Sequence, residues 1–146
     1  MRAILAAVDF SGVSESVVTQ AARLARAVGG KVVLVTVLVE PVFLQEDGAP
    51  SQRVGELTVA HEREVRRRLA EWQERLQATG VMVETAVRKG VPAPHLLQEA
   101  EEHDARWIVI GSHGHNALFE LIVGSTTQSV LKRARLPVMV VPATRE

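Results

Sequence analysis

Four residues near the C-terminus combine types and spacing that suit phosphate. Gly111 and Gly114 are separated by two residues, nine more lead to Gly124, and Ser125 follows at once, with Thr126 and Thr127 behind it. An apolar run, Arg106-Trp107-Ile108-Val109-Ile110, enters the first glycine, and a helical pattern over Ser125 to Ala134 follows the last. Glycine lets a backbone come close to a ligand with no Cβ in the way. The first N–H groups of a helix lack intrahelical partners and carry partial positive charge. A strand that ends in glycines and reopens as a helix rich in hydroxyls can therefore hold an anion without a lysine. No Gly-x4-Gly-Lys-Ser/Thr loop occurs in the chain, which excludes the P-loop solution.

Two further groups could contribute chemistry. Asp9 closes the first apolar run, where a ligand-facing carboxylate is the expectation and a helix-start acid the alternative. His113 and His115 lie inside the glycine segment, but no third metal ligand stands near them in sequence. His61, His95 and His103 are expected on exposed helix faces. The run Arg66-Arg67-Arg68 is interleaved with glutamates, which predicts an ion-paired, solvated helix face and not a nucleic-acid patch.

The elements that must position these residues alternate regularly. Ala3 to Val8 is a short apolar run. Ser14 to Val28 places Val17, Ala21, Leu24 and Val28 on one helical face, and Gly29-Gly30 ends it. Val32 to Val39 is continuous and β-branched, as in a strand buried on both faces. Residues 40 to 54 hold two prolines and read as a long loop, a candidate lid in which Phe43 and Leu44 could cover a ligand or meet a second subunit. A helix is predicted over Glu56 to Ala78, with Val65, Leu69, Trp72 and Leu76 as its core stripe. Glu62–Arg66, Glu64–Arg68 and Glu71–Arg75 are its expected i,i+4 pairs. Val81 to Val87 is the third strand, and Pro92 opens a helix near Ala93 to His103. Trp107 to Ile110 and Val138 to Val141 complete the strands.

This βαβαβαβαβ pattern predicts a single α/β domain spanning 1–146: a doubly wound, five-stranded parallel sheet with helices on both faces. Two strand orders compete. Order 3-2-1-4-5 brings the glycines beside Asp9 at the topological switch between strands 1 and 4; order 2-1-3-4-5 would face Arg88-Lys89-Gly90 toward Asp9 instead. Order 3-2-1-4-5 is the expectation.

Composition narrows the function classes. The 146 residues carry 17 basic and 17 acidic side chains, so formal net charge is zero and no dedicated polyanion surface is indicated. Three phenylalanines, two tryptophans and no tyrosine leave little for a base-stacking platform or for flanking a flavin. The absence of cysteine excludes thiol catalysis and disulfides. The N-terminal apolar run is cut short by Asp9 and no apolar stretch could span a bilayer; a cytoplasmic protein without membrane or nucleic-acid partners is expected.

Nearly the whole chain resembles the universal stress protein family, in its ATP-binding type. The resemblance rests on Val8-Asp9-Phe10-Ser11, on Gly90-x-Pro92, on Ile108-Val109-Ile110-Gly111-Ser112-His113-Gly114, and on the terminal Leu136-Pro137-Val138-Met139-Val140-Val141. Its most specific part is the Gly-2x-Gly-9x-Gly-Ser motif that Gly111, Gly114, Gly124 and Ser125 satisfy. The resemblance implies ATP as ligand, with magnesium. It implies that Ala7, Val8 and Ile110 line the base and sugar pocket and that Val37 contacts the adenine. Asp9 would sit by the ribose or help place the metal. Gly111 and Gly114 would pass close to sugar and phosphates, and Gly124, Ser125, Thr126 and Thr127 would wrap the phosphates. His115 stands where the family commonly carries a basic residue, and Arg106 where it commonly carries an aspartate. The resemblance further implies a homodimer through Val138, Met139, Val140 and Val141, an apolar edge that would otherwise be exposed.

The expected function is a nucleotide-dependent sensor or regulator in the stress response. A slow ATPase or phosphotransferase is the alternative, with His113, His115 and Asp9 as the nearby groups that could assist. A module that keeps the loop but binds no nucleotide is the third.

Overall fold

Strands whose side chains alternate between two covered faces are expected to be largely apolar, and the first, second and fourth strands are, apart from Lys31, Thr36 and Arg106. The computed structural model describes residues 1–39, 52–113 and 123–143. In chain order the elements are β1 (Ala3–Ala7), α1 (Ser14–Val28), β2 (Lys31–Leu38), α2 (Gln52–Ala78), β3 (Val83–Lys89), α3 (Pro92–Glu102), β4 (Ala105–Gly111), α4 (Ser125–Arg133) and β5 (Val138–Val141). The strands form one parallel sheet in the order β3-β2-β1-β4-β5, the doubly wound arrangement expected from the sequence.

Two cores result. On one face Ile4, Ala6, Leu34 and Val109 meet Val17, Val18, Ala21 and Ala25 of α1 and Val65, Leu69 and Leu76 of α2. On the other, Leu5, Val33, Val35, Ile108 and Ile110 meet Ala93, Leu96 and Ala100 of α3 and Val130 of α4. At roughly 25 cal/mol per Å² of apolar surface removed from water, such burial is the main favourable term in folding. The buried polar side chain of β2, Thr36, donates its hydroxyl to the Val8 carbonyl at 2.6 Å, which removes the penalty of burying it unbonded.

Element ends follow local chemistry. Gly29 caps α1 in the left-handed region, φ 67°, and its N–H bonds to Ala25 O, a conformation glycine takes without strain. Pro92 opens α3 in the first turn, where its missing N–H has no helical partner to lose.

The sequence misplaced some boundaries. Strand β3 starts at Val83, two residues later than expected, because the Val81 N–H is held by Leu76 O in the turn that closes α2. Helix α2 begins at Gln52, inside the span expected to be loop. The remainder of that expected loop, 40–51 with Phe43 and Leu44, lies outside the described residues.

The α2 ion pairs are also partly corrected. Arg66 pairs with Glu62 at 2.9 Å as expected. Arg67 bridges Glu64 and Glu71, whereas Arg68 lies over the Phe10 ring and Arg75 reaches across to Glu15 of α1. Partners on other elements compete for Arg68 and Arg75, and a pattern along one helix cannot show them. His61 is exposed, but His95 and His103 are half-buried. His103 sits between Glu84 and Glu99, at 3.3 and 3.2 Å.

Candidate functional site

The chain leaves β1 through α1 toward β2 and returns from β3 through α3 to β4 on the opposite side of β1. The two crossovers diverge between β1 and β4, which opens a crevice beyond their carboxyl ends. Asp9 follows β1 at this edge, Gly111 ends β4, and Val37 lies near the end of β2.

Ala7, Val37 and Ile110 share the sheet face covered by α3 and α4. The N-terminus of α4 approaches that same face. Val8 goes to the opposite face, against α1 and α2. Its N–H donates to Val35 O at 3.0 Å and its carbonyl accepts from Thr36, so both its backbone groups are engaged within the sheet.

Asp9 is exposed, and its carboxylate turns back on its own chain. Oδ1 accepts from the Ser11 N–H at 2.9 Å and from the Ser14 hydroxyl at 3.2 Å, and the Asp9 N–H reaches Ser14 Oγ at 3.3 Å. This turn leads into α1. Phe10, inside it, has φ 63°, a left-handed conformation that is uncommon for a bulky residue and persists where surroundings impose it. Sequence reading missed the contacts of Ser11 and Ser14 with Asp9 and the conformation of Phe10 beside it. The Ser11 amide and the Ser14 hydroxyl had a legible signal, an Asx-type turn ahead of a helix; the positive φ had none.

The glycine segment is tied at both ends. Gly111 is buried, and a Cβ there would fall well inside van der Waals contact with Val13 Cγ1. Its carbonyl accepts the buried Thr127 hydroxyl at 2.7 Å. Ser112 O accepts the Gly124 N–H at 2.7 Å, and the Ser112 N–H donates to Val141 O at 2.8 Å. The loop therefore leaves and re-enters at one point, between β4, β5 and α4. Gly114 and His115 lie outside the described residues.

These bonds sort the expected phosphate donors. The Gly124 amide and the Thr127 hydroxyl are used within the protein. Helix α4 opens at Gly124 with no side-chain cap. Ser125 is exposed and Thr126 half-buried at its first turn. The amides and hydroxyls of these two residues are the groups placed to meet an anion. Among the described residues, no cluster of three or more His, Cys, Asp or Glu side chains is arranged to hold a metal, so Asp9 would need ligand oxygens to complete a cation's shell.

The basic residues at the end of β3 serve a different purpose. Arg88 bonds to the buried carboxylate of Glu99 and to Glu102 at 3.2 Å. Glu99, then Glu102, pushes its guanidinium pKa up. Lys89 pairs with Glu62 at 3.0 Å; Lys89 first and Arg66 second hold the Glu62 carboxyl below its usual range. Arg88 and Lys89 thus bind β3 to α3 and α2. Arg106 lies exposed, 3.6 Å from Asp104.

The family model described as "Universal stress protein family" matches residues 1–142. Universal stress protein MJ0577 of Methanocaldococcus jannaschii is 31% identical over 78 residues, covering 53% of this chain and 48% of that protein. A universal stress protein of Mycolicibacterium smegmatis is 42% identical over 74 residues, 51% of this chain and 24% of that protein. The matched stretch thus spans about half or less of these curated relatives. The solved structure of MJ0577 superposes with TM-score 0.84 at 26% identity, covering 99% of this chain and 98% of that one. Among the described residues no helix is long and apolar enough to cross a membrane.

Proposed function

The chain belongs to the universal stress protein family, and from that premise we propose that it binds an adenine nucleotide, ATP with magnesium, in the crevice between β1 and β4 and acts as a nucleotide-dependent regulator. One observation carries the reading. The fold brings Ala7, Val37 and Ile110 to a single sheet face at the carboxyl edge, and on that side α4 opens without a side-chain cap at Gly124, Ser125 and Thr126. An apolar floor beside a helix N-terminus matches a ligand with an apolar ring at one end and an anionic tail at the other.

In this reading Ala7, Val37 and Ile110 contact the base and sugar, with Val8 lending only main-chain support from the far face. Gly111 keeps the chain close beneath the sugar. Ser125 and Thr126 donate to phosphate oxygens, and Gly124 and Thr127 hold the helix start in place through Ser112 and Gly111. Gly114 and His115 belong to the same proposed site through the family motif. Asp9 fits a divalent cation in chemistry, being an exposed carboxylate at the same edge; that cation would neutralise phosphate charge where no lysine is present. Relatives support the ligand class: universal stress proteins solved in complex with cAMP and with dAMP share this fold. A homodimer through β5 and a cytoplasmic setting belong to the same proposal.

Regulation follows from occupancy. A ligand shifts a conformational balance by as much as its affinity differs between the two states. The test is isothermal calorimetry of the whole chain with ATP, with and without magnesium. Saturable binding weakened by Ser125→Ala supports the reading; absence of heat at millimolar ATP with magnesium rejects it.

A further inference from the structure

The Asp9 turn is held from outside by α2. The Phe10 ring stacks on Trp72 with centroids 5.2 Å apart and planes 2° from parallel. The Arg68 guanidinium lies over the same ring, 4.3 Å from its centroid. Arg68 and Trp72 are four residues apart on α2, hence on one helical face. Trp72 also donates its indole N–H to Glu15 Oε2 at 2.9 Å, and Arg75, one turn further, bonds to the other Glu15 oxygen. Helix α2 therefore grips the segment from Asp9 to Glu15 at two points.

Phe10 is the residue that the Asp9–Ser11 hydrogen bond spans. The Ser11 N–H reaches Asp9 Oδ1 with Phe10 at φ 63°. A side chain that rarely adopts this conformation is held there by a ring stack and a cation. A divalent cation that draws on the Asp9 carboxylate competes with the Ser11 N–H, and any relaxation of that turn must move the Phe10 ring.

We propose that Trp72 and Arg68 are positioning residues that clamp Phe10 and so link occupancy of the Asp9 site to the placement of α2. The proposal rests on the nucleotide reading above and adds its route of output. The face of α2 that carries Arg66, Arg67 and Glu71 is exposed, where a change in placement is available to another molecule.

The test uses the whole chain carrying Trp107→Phe. The sequence has two tryptophans and no tyrosine, so emission then reports Trp72. ATP with magnesium is titrated while emission is followed, and calorimetry is run on the same sample. The expected result is an emission change with the calorimetric midpoint. Phe10→Leu, which cannot stack and is strained at positive φ, should weaken binding about tenfold. Phe10→Gly keeps access to positive φ and loses the ring; it should bind nearly as the parent does but leave Trp72 emission unmoved. A purely structural role would not separate binding from emission in this way. If either variant fails to fold, hydrogen exchange of α2 amides in the unsubstituted chain decides: slowing on ATP binding supports the link, and no change overturns it. Binding heat with silent Trp72 emission, or a response undiminished in Phe10→Gly, overturns the clamp alone. Absence of binding heat overturns the nucleotide reading and the clamp with it.

Discussion

The methyl group of Val13, just ahead of α1, fills the space that a β-carbon on Gly111 would require. Gly111 is thus fixed first by how tightly the start of α1 lies against the end of β4. Gly111→Ala should destabilise the fold by about 1–3 kcal/mol through overpacking. In a Val13→Ala background the same change should cost distinctly less, since the two residues contend for one volume. Thermal unfolding of the four proteins checks this, and equal costs in both backgrounds would dismiss the steric account.

Thr127 and Ser125 should separate stability from binding. Thr127 is buried and donates to Gly111 O. Thr127→Val keeps shape but strips a donor from a buried carbonyl, at about 1 kcal/mol of stability. Ser125 is exposed, and Ser125→Ala should leave the melting temperature nearly unchanged while lowering ATP affinity. Calorimetry beside thermal melts reads both, and the reverse pattern would exchange the two roles.

Asp9 offers a similar split. Asp9→Asn keeps an oxygen for the Ser11 N–H and the Ser14 hydroxyl and removes the charge. Stability should stay close to the parent, and the magnesium dependence of ATP binding should fall. Asp9→Ala also loses the turn, at about 1 kcal/mol as for a lost helix-start cap. An Asp9→Asn protein with unchanged magnesium dependence would remove the metal role.

Glu62 makes a pH prediction. Its carboxyl is held below the ordinary 4.5, first by Lys89 and then by Arg66. A carboxyl whose folded-state pKa is lowered stabilises the protein above the unfolded value, and that contribution is lost as pH falls through the folded value. Glu62→Gln should therefore melt lower than the parent near neutrality, with the gap closing as pH drops below 4.5. A gap independent of pH would show that these pairings do not stabilise the fold.

The proposed dimer is tested at the sheet edge. Met139 is exposed on β5 between half-buried Val138 and Val140. Met139→Lys should shift sedimentation toward monomer, because a charge placed in an apolar contact loses its water. An unchanged profile would place any dimer contact elsewhere.

Much of the architecture was legible because it is encoded by short-range pattern. Alternating apolar runs and 3.6-residue stripes gave the strands and helices, and α1 and β5 fall where Ser14–Val28 and Val138–Val141 predict them. The strand order followed from asking which arrangement sets Asp9 beside the glycines. Boundaries slipped where a competing bond intervened, as at Val81.

The sequence alone determined the fold class and the family, since periodicity, glycine spacing and apolar continuity are properties of neighbours along the chain; of the two strand orders it left in competition, the tertiary structure has β3-β2-β1-β4-β5. Tertiary structure decided which groups are free to act. It gave the Thr127 hydroxyl to Gly111 and the Gly124 amide to Ser112. It turned Arg68 from an expected glutamate to Phe10, and it joined Arg88 to buried Glu99. The physical reason is competition: a donor takes the partner that packing brings within about 3 Å, and residues distant in sequence become neighbours only after the two cores have closed.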